Sequence, residues 1–152
     1  MDKYPDPARD VPLIPSLLLD RAALIQRWQH GSDSFFWREE RAGRLLPVRH
    51  DGLLRYRFED VLLYEGGLPS DEMAAAYVDD LMHPVEASAV CRCSPAYIAA
   101  CAKAGDIPQR MIGRARRFVP AEVARWQQDR WTVCASRMNA KPRKTTPFAS
   151  DE

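Results

Sequence analysis

The chain of 152 residues is long enough for one ordinary domain or two very small ones. Leu, Ile, Val and Phe together number 32, or 21% of the chain, and 12 prolines outnumber 7 glycines. That argues against a generous core and against long flexible linkers. The net charge of +1 conceals an asymmetry: 8 basic and 8 acidic residues over 18–67, none and 4 over 68–82, then 8 and 4 over 83–131. A basic second half favours a polyanionic partner there.

Residues 1–16 open on MDKYPDPARD, charged and proline-rich, and read as an irregular segment rather than a signal peptide. Val11, Leu13 and Ile14 are available to pack on the first folded unit. The longest apolar stretch, Val11–Leu19, is broken by Pro12, Pro15 and Ser16 and is too short to span a bilayer. The expectation is a soluble cytoplasmic protein with no membrane partner.

That first unit covers 17–67. A helix is expected over Leu19–Gln29, then a second one capped by Ser32 or Ser34 and running to Ala42 before Gly43. Val48–Phe58 reads as a hairpin around Asp51-Gly52, and Glu59–Glu65 as a closing helix stopped by Gly66-Gly67. Residues 68–82 form a connector, expected to be helical, with Ser70 as cap and Met73, Ala76, Tyr77 and Leu81 at helical spacing.

The second unit, 83–131, repeats that order. Helix Pro84–Cys91 is followed after Arg92 and Cys93 by Ser94-Pro95, a cap and a first-turn proline, and by a helix ending near Gly105. Two helices so closely joined make a helix-turn-helix. Gln109–Ile112, Gly113 and Arg116–Val119 read as a short hairpin, and Pro120–Gln128 as a last helix. Residues 132–152 are expected to be a disordered basic tail whose KPRK run at 141–144 either follows a DNA backbone or does nothing.

The two units superimpose in sequence at an offset of 62, which pairs Ser32 with Ser94, Phe35 with Tyr97, Phe36 with Ile98, and Arg41 with Lys103. Ala42-Gly43 falls on Ala104-Gly105, Arg55-Tyr56 on Arg117-Phe118, and Tyr64 on Trp126. The expected fold is mainly α with small β wings: two tandem winged helix-turn-helix units joined by a helical connector. Phe35, Phe36, Tyr56, Phe118 and Trp126 are expected in the core, with Trp28 and Trp131 as further packing residues.

Cys91, Cys93, Cys101 and Cys134 match no zinc spacing and read as small buried hydrophobes. No metal or cofactor is expected. There is no nucleophile elbow, phosphate loop, HExxH or separated carboxylate pair, so the chain is not expected to be an enzyme. A protein-interaction module that binds a regulator or integrase is the alternative from another class.

The second copy, PVEASAVCRCSPAYIAACAKAGDIPQRMIGRARRFVPAEVARW, resembles the excisionase and MerR-like winged helix-turn-helix family of DNA-binding proteins. The first, SFFWREERAGRLLPVRHDGLLRYRFEDVLLYE, resembles its AlpA-like branch, in which an aromatic-arginine pair precedes a glycine–proline turn. Together the resemblances cover about 110 of the 152 residues. They imply a transcriptional regulator of a prophage, plasmid or other mobile element, a recombination directionality factor, or a plasmid partition protein, in a bacterial cytoplasm and associated with nucleoid or plasmid. Implied partners are double-stranded DNA, a second copy as a dimer or head-to-tail assembly, and an integrase, RNA polymerase or partition protein.

The resemblance further implies that the second helix of each unit enters a major groove, with the wing on backbone or minor groove. In the first unit Ser34, Trp37, Arg38 and Arg41 would then face DNA, with Arg49, His50 and Arg55 on the wing; Trp37 reads equally as a core or interface aromatic. In the second, Ser94, Pro95, Ala96, Ala99, Ala100 and Lys103 would face DNA, joined by Arg92, Arg110, Arg114, Arg116 and Arg117. Tyr97, Ile98 and Cys101 would be partly or wholly core. Ala99 and Ala100 stand where relatives often carry long polar residues, and alanine makes no bidentate bond to a base. The expected division is therefore a first unit that reads and a second that holds phosphates, unless the first has become a dimerisation surface. Units about 34 Å apart would place the two helices in successive major grooves.

Overall fold

A computed structural model of the protein describes residues 14–140, with side chains as far as Arg130. Val11, Leu13, the KPRK run, and the side chains of Trp131 and Cys134 lie outside the described residues. The described chain holds seven helices and two small antiparallel sheets.

Strand β1 (Leu18–Leu19) precedes α1 (Arg21–Trp28), because Asp20 accepts a hydrogen bond from the Ala23 amide at 2.8 Å and starts the helix. The two leucines before that cap, the first of the expected helix among them, are extended instead and pair with Arg57 and Tyr56. After α1, Gly31 holds φ at 133°, and a Cβ there would lie 3.0 Å from the Phe36 ring, so the turn admits only glycine. Ser32, rather than Ser34, caps α2 (Asp33–Arg41) by accepting from the Phe35 amide at 3.2 Å. Strands β2 (Pro47–His50) and β3 (Leu53–Arg57) turn at Asp51-Gly52, both at positive φ, and the sheet runs in the order β1-β3-β2. Helix α3 (Phe58–Glu65) follows directly.

The connector is a 3-10 helix over Asp71–Val78 rather than an α-helix along its length. Ser70 forms no capping bond with its side chain. The far end is held from outside, by the Arg27 guanidinium donating to the carbonyls of Tyr77 at 2.7 Å and Asp79 at 2.9 Å.

In the second half His83 caps α4 (Pro84–Cys91): its Nδ1 accepts from Val85 N at 3.1 Å, while Glu86 accepts from His83 N at 2.8 Å. Ser94 caps α5 (Pro95–Lys103) by accepting from Tyr97 N at 3.1 Å. Thus α2 and α5 occupy the same positions of the 62-residue repeat. Strands β4 (Arg110–Ile112) and β5 (Ala115–Arg117) form the second hairpin, and α6 (Pro120–Ala140) closes the half. Helix α6 continues well past Gln128, so 132–140 is helical rather than the start of an irregular tail. No glycine or proline interrupts 121–140, and Pro142 is the next helix breaker.

Two apolar clusters make the core. Trp28, Phe35, Phe36, Tyr56 and Phe58 dominate one, which also takes Tyr77 and Leu81 from the connector and Ile112 and Val119 from the second half. Ala87, Ile98, Cys101, Ala102, Ile107, Phe118 and Val123 form the other. The halves are therefore packed on one another rather than hung on a linker.

Two arginines complete the join, and they correct the expected DNA contacts. Arg117 is buried and donates to the carbonyls of Trp28 at 2.7 Å and Gln29 at 2.9 Å, closing the end of α1. Arg110 is buried too, donating to Leu62 O at 2.7 Å and Gly67 O at 2.6 Å. Both side chains satisfy carbonyls of the first half and cannot also reach a phosphate. Glu65, buried beneath them, accepts from Arg27 Nε at 2.6 Å and Trp28 Nε1 at 2.5 Å and lies 3.5 Å from Arg110 Nε.

Candidate nucleic-acid interface

Nine residues of α2 must divide between core and solvent, and their chemistry divides them sharply. Phe35 and Phe36 are buried, while Ser34, Trp37, Arg38 and Arg41 are exposed. Both glutamates of the helix are drawn off that exposed face. Glu39 is buried, accepting from Arg44 at 3.0 and 2.9 Å and from the Tyr64 hydroxyl at 2.9 Å. The Arg44 hydrogen bonds hold its carboxyl below the usual range. Glu40 accepts from Arg21 at 3.2 Å and from the Tyr56 hydroxyl, whose pKa is pushed up to about 12 by burial and by that bond. What remains on the surface is a hydroxyl, an indole, two guanidiniums and, in the first turn, the Asp33 carboxylate, which Arg21 meets at 3.3 Å. Arg41 lies over the Trp37 ring at 5.0 Å, and Trp37 is 58% exposed, so it is no core residue.

The matching face of α5 is smoother. Ala96, Ala100 and Lys103 are exposed and Ala99 is half-buried, so Lys103 is the one cation on it. Pro95 is exposed, and the Ser94 hydroxyl is occupied by its capping bond. Tyr97 departs from the expected core position: it is exposed, and Arg130 bridges its ring and that of half-buried Trp126. Ile98 and Cys101 are buried, and Cys91 and Cys93 are half-buried thiols.

On the first hairpin Arg49 is exposed and donates to Gly52 O at 3.3 Å, Arg55 is half-buried and donates to Leu54 O at 2.8 Å, and His50 is exposed. Arg92 is exposed in a left-handed conformation at the end of α4. Half-buried Arg116 donates to the Gln109 side chain. Arg114, at the tip of the second hairpin, is exposed with no hydrogen bond or ion pair among the described residues.

No family model, curated protein or solved structure matches this chain. The site rests on its own geometry.

That geometry brings two of the expected residues together across the halves. The β4–β5 turn sits against α2, so close that a Cβ on Gly113 (φ 64°) would lie 3.1 Å from Phe35 Cε1. Between them opens a crevice of about 740 Å³ into which Arg38 and Arg114 both face, with His30 and Arg44 on its walls. His30 packs edge-on to Phe35, and burial, then the nearby Arg117 charge, lowers its pKa below the ordinary 6.5. The sequence alone does not single out His30, Arg44 or Gly113 as site residues. The one signal for His30 is its place in the turn before the Ser32 cap; Arg44 follows a helix-ending glycine and carries none.

Among the described residues no group of three or more His, Cys, Asp or Glu is placed to hold a metal ion. No described helix is long and apolar enough to cross a membrane.

Proposed function

We propose that the chain binds double-stranded DNA through two winged helix-turn-helix units, α1–α3 with the β2–β3 hairpin and α4–α6 with the β4–β5 hairpin. The observation that carries this reading is the exposed face of α2. A helix of nine residues presents Ser34, Trp37, Arg38 and Arg41 together while its own glutamates are neutralised behind it. Hydroxyl, indole and guanidinium are groups that meet base edges and phosphates, and the exposed carboxylate of the first turn, Asp33, is paired with Arg21. Lys103, Arg92 and Arg114 make the second unit mainly a phosphate grip, with Ala100 of α5 free to meet a thymine methyl, and Arg49 adds an exposed cation on the first hairpin.

The family resemblance favours transcriptional control of a mobile element, prophage or plasmid as the role, ahead of excision or partition. Titrating a mixed-sequence duplex by fluorescence anisotropy at several salt concentrations tests the binding. Affinity should fall steeply with salt, and Arg38→Ala with Arg41→Ala should lessen that slope. No binding at low salt would remove the DNA reading and leave the exposed α2 face to a protein partner.

A further inference from the structure

Resting on that DNA reading, we propose that the crevice between α2 and the β4–β5 turn is a notch for one backbone phosphodiester, gripped jointly by Arg38 of the first half and Arg114 of the second, with His30 as a third, protonatable donor.

The two guanidiniums enter from different halves of the chain, and neither has a hydrogen-bond or ion-pair partner among the described residues. Glu39 is the carboxylate in the crevice, and both its oxygens already accept from Arg44, one also from Tyr64. It therefore answers the Arg44 charge first; Arg38 acts on it through space without forming an ion pair, and Arg114 has no ion pair among the described residues. Buried Phe35 and exposed Met111 add apolar surface to its lining, material that screens little and concentrates the field of the charges beside it. A phosphodiester has two free oxygens on a tetrahedral centre, which suits two planar guanidinium forks, one from α2 and one from the hairpin tip.

The notch is also held in shape. Arg110 and Arg117 tie the roots of the hairpin to carbonyls of α1 and α3 and the residues just beyond them, and Gly113 brings its tip onto Phe35 without a side chain between. A ligand entering it therefore meets walls whose backbone is already held in place.

His30 adds a titratable contact. Arg117 from β5 acts on it electrostatically, and Arg38 and Glu39 from α2, Arg44 from the loop after α2, Arg114 from the hairpin tip and the Tyr64 hydroxyl from α3 line the same crevice. Burial first, and then the Arg117 charge, disfavour the imidazolium in the free protein. A phosphate reverses that balance, and binding should take up a proton at His30.

The test is a double-mutant cycle on duplex affinity with Arg38→Gln, Arg114→Gln and the pair, each first confirmed as folded by circular dichroism. Each single variant should weaken binding about tenfold and reduce the salt slope by about 1. Because both hold one phosphate, the pair should lose little more than either alone. Losses that multiply to about a hundredfold, or no loss for Arg114→Gln while the wild type binds, overturn the shared notch and leave the DNA reading standing. A wild type that binds no duplex removes both.

A pH arm sharpens the assignment: wild-type affinity should rise several-fold from about pH 7.5 to about pH 5.5, and His30→Gln should abolish that rise. The His30 ring resonances should shift with duplex. A shift with inorganic phosphate but none with duplex would make this a site for free phosphate and overturn the proposal.

Discussion

The two halves of the molecule share one order of elements and differ in what fills them. At matched repeat positions the first half has Phe36 where the second has Ile98, and Trp37 and Arg38 where the second has Ala99 and Ala100. Six aromatic side chains, Trp28, Phe35, Phe36, Tyr56 and Phe58 with Tyr77 from the connector, crowd the first cluster, while Phe118 is the single ring among the buried residues of the second. The first half thus has the larger core and the more polar helix surface. The second has the thinner core and leans on the first through Ile112, Val119, Arg110 and Arg117. Aromatic bulk and the exposed indole and guanidiniums of α2 stand in the first half, and the second depends on it.

The largest expected effect tests the dependence. Glu65→Ala leaves Arg27 and Arg110 buried without their carboxylate and should cost about 3–5 kcal/mol in urea unfolding. The loss should appear in one transition reported equally by probes in both halves. Two separable transitions in the wild type would mean that the halves fold independently and that the shared core is only a contact.

Hydrogen exchange grades the same comparison more finely. Core amides of α2 should exchange at least about tenfold more slowly than those of α5, a gap of about 1.4 kcal/mol in opening free energy. Equal protection would contradict the unequal cores.

The effect of pH is smaller and its sign is set by His30. Its folded pKa lies below the ordinary 6.5, so over that range the unfolded chain holds more protons. Its contribution to stability is present above the unfolded pKa and is lost as pH falls through the folded one. The urea midpoint should therefore rise from about pH 5 to about pH 7, less so in His30→Gln. DNA affinity in the proposed notch runs the opposite way, which separates ligand linkage from folding.

Smallest is Arg92→Gly. A long side chain at φ 55° is strained, and glycine there should change stability by less than about 1 kcal/mol, toward the more stable. If Arg92 also holds phosphate, the same variant binds DNA less tightly.

Much of the architecture is legible in the sequence because local chemistry fixes it. Ser32 and Ser94 cap, Pro84 and Pro95 open helices, Gly43 and Gly105 end them, and Asp51-Gly52 turns a hairpin; each acts within four residues of itself. The run RMIGRARR is legible as charge but not as geometry. Arg110 and Arg117 bond to carbonyls 43 to 89 positions away in sequence, and no local pattern says that a basic residue will turn inward. The 3-10 form of the connector is hidden for a related reason, since Arg27 on α1 holds its end. Within the site, Arg38 is legible as an exposed helix arginine, whereas its meeting with Arg114 needs the packing of one half on the other.

Backbone amide chemical shifts on addition of a duplex test the central claim most directly. The account predicts the largest changes over Ser34–Arg41 and at Gly113–Arg114, with smaller ones along α5. Changes confined to α3 and the Asp71–Val78 connector, or none at all, would contradict it.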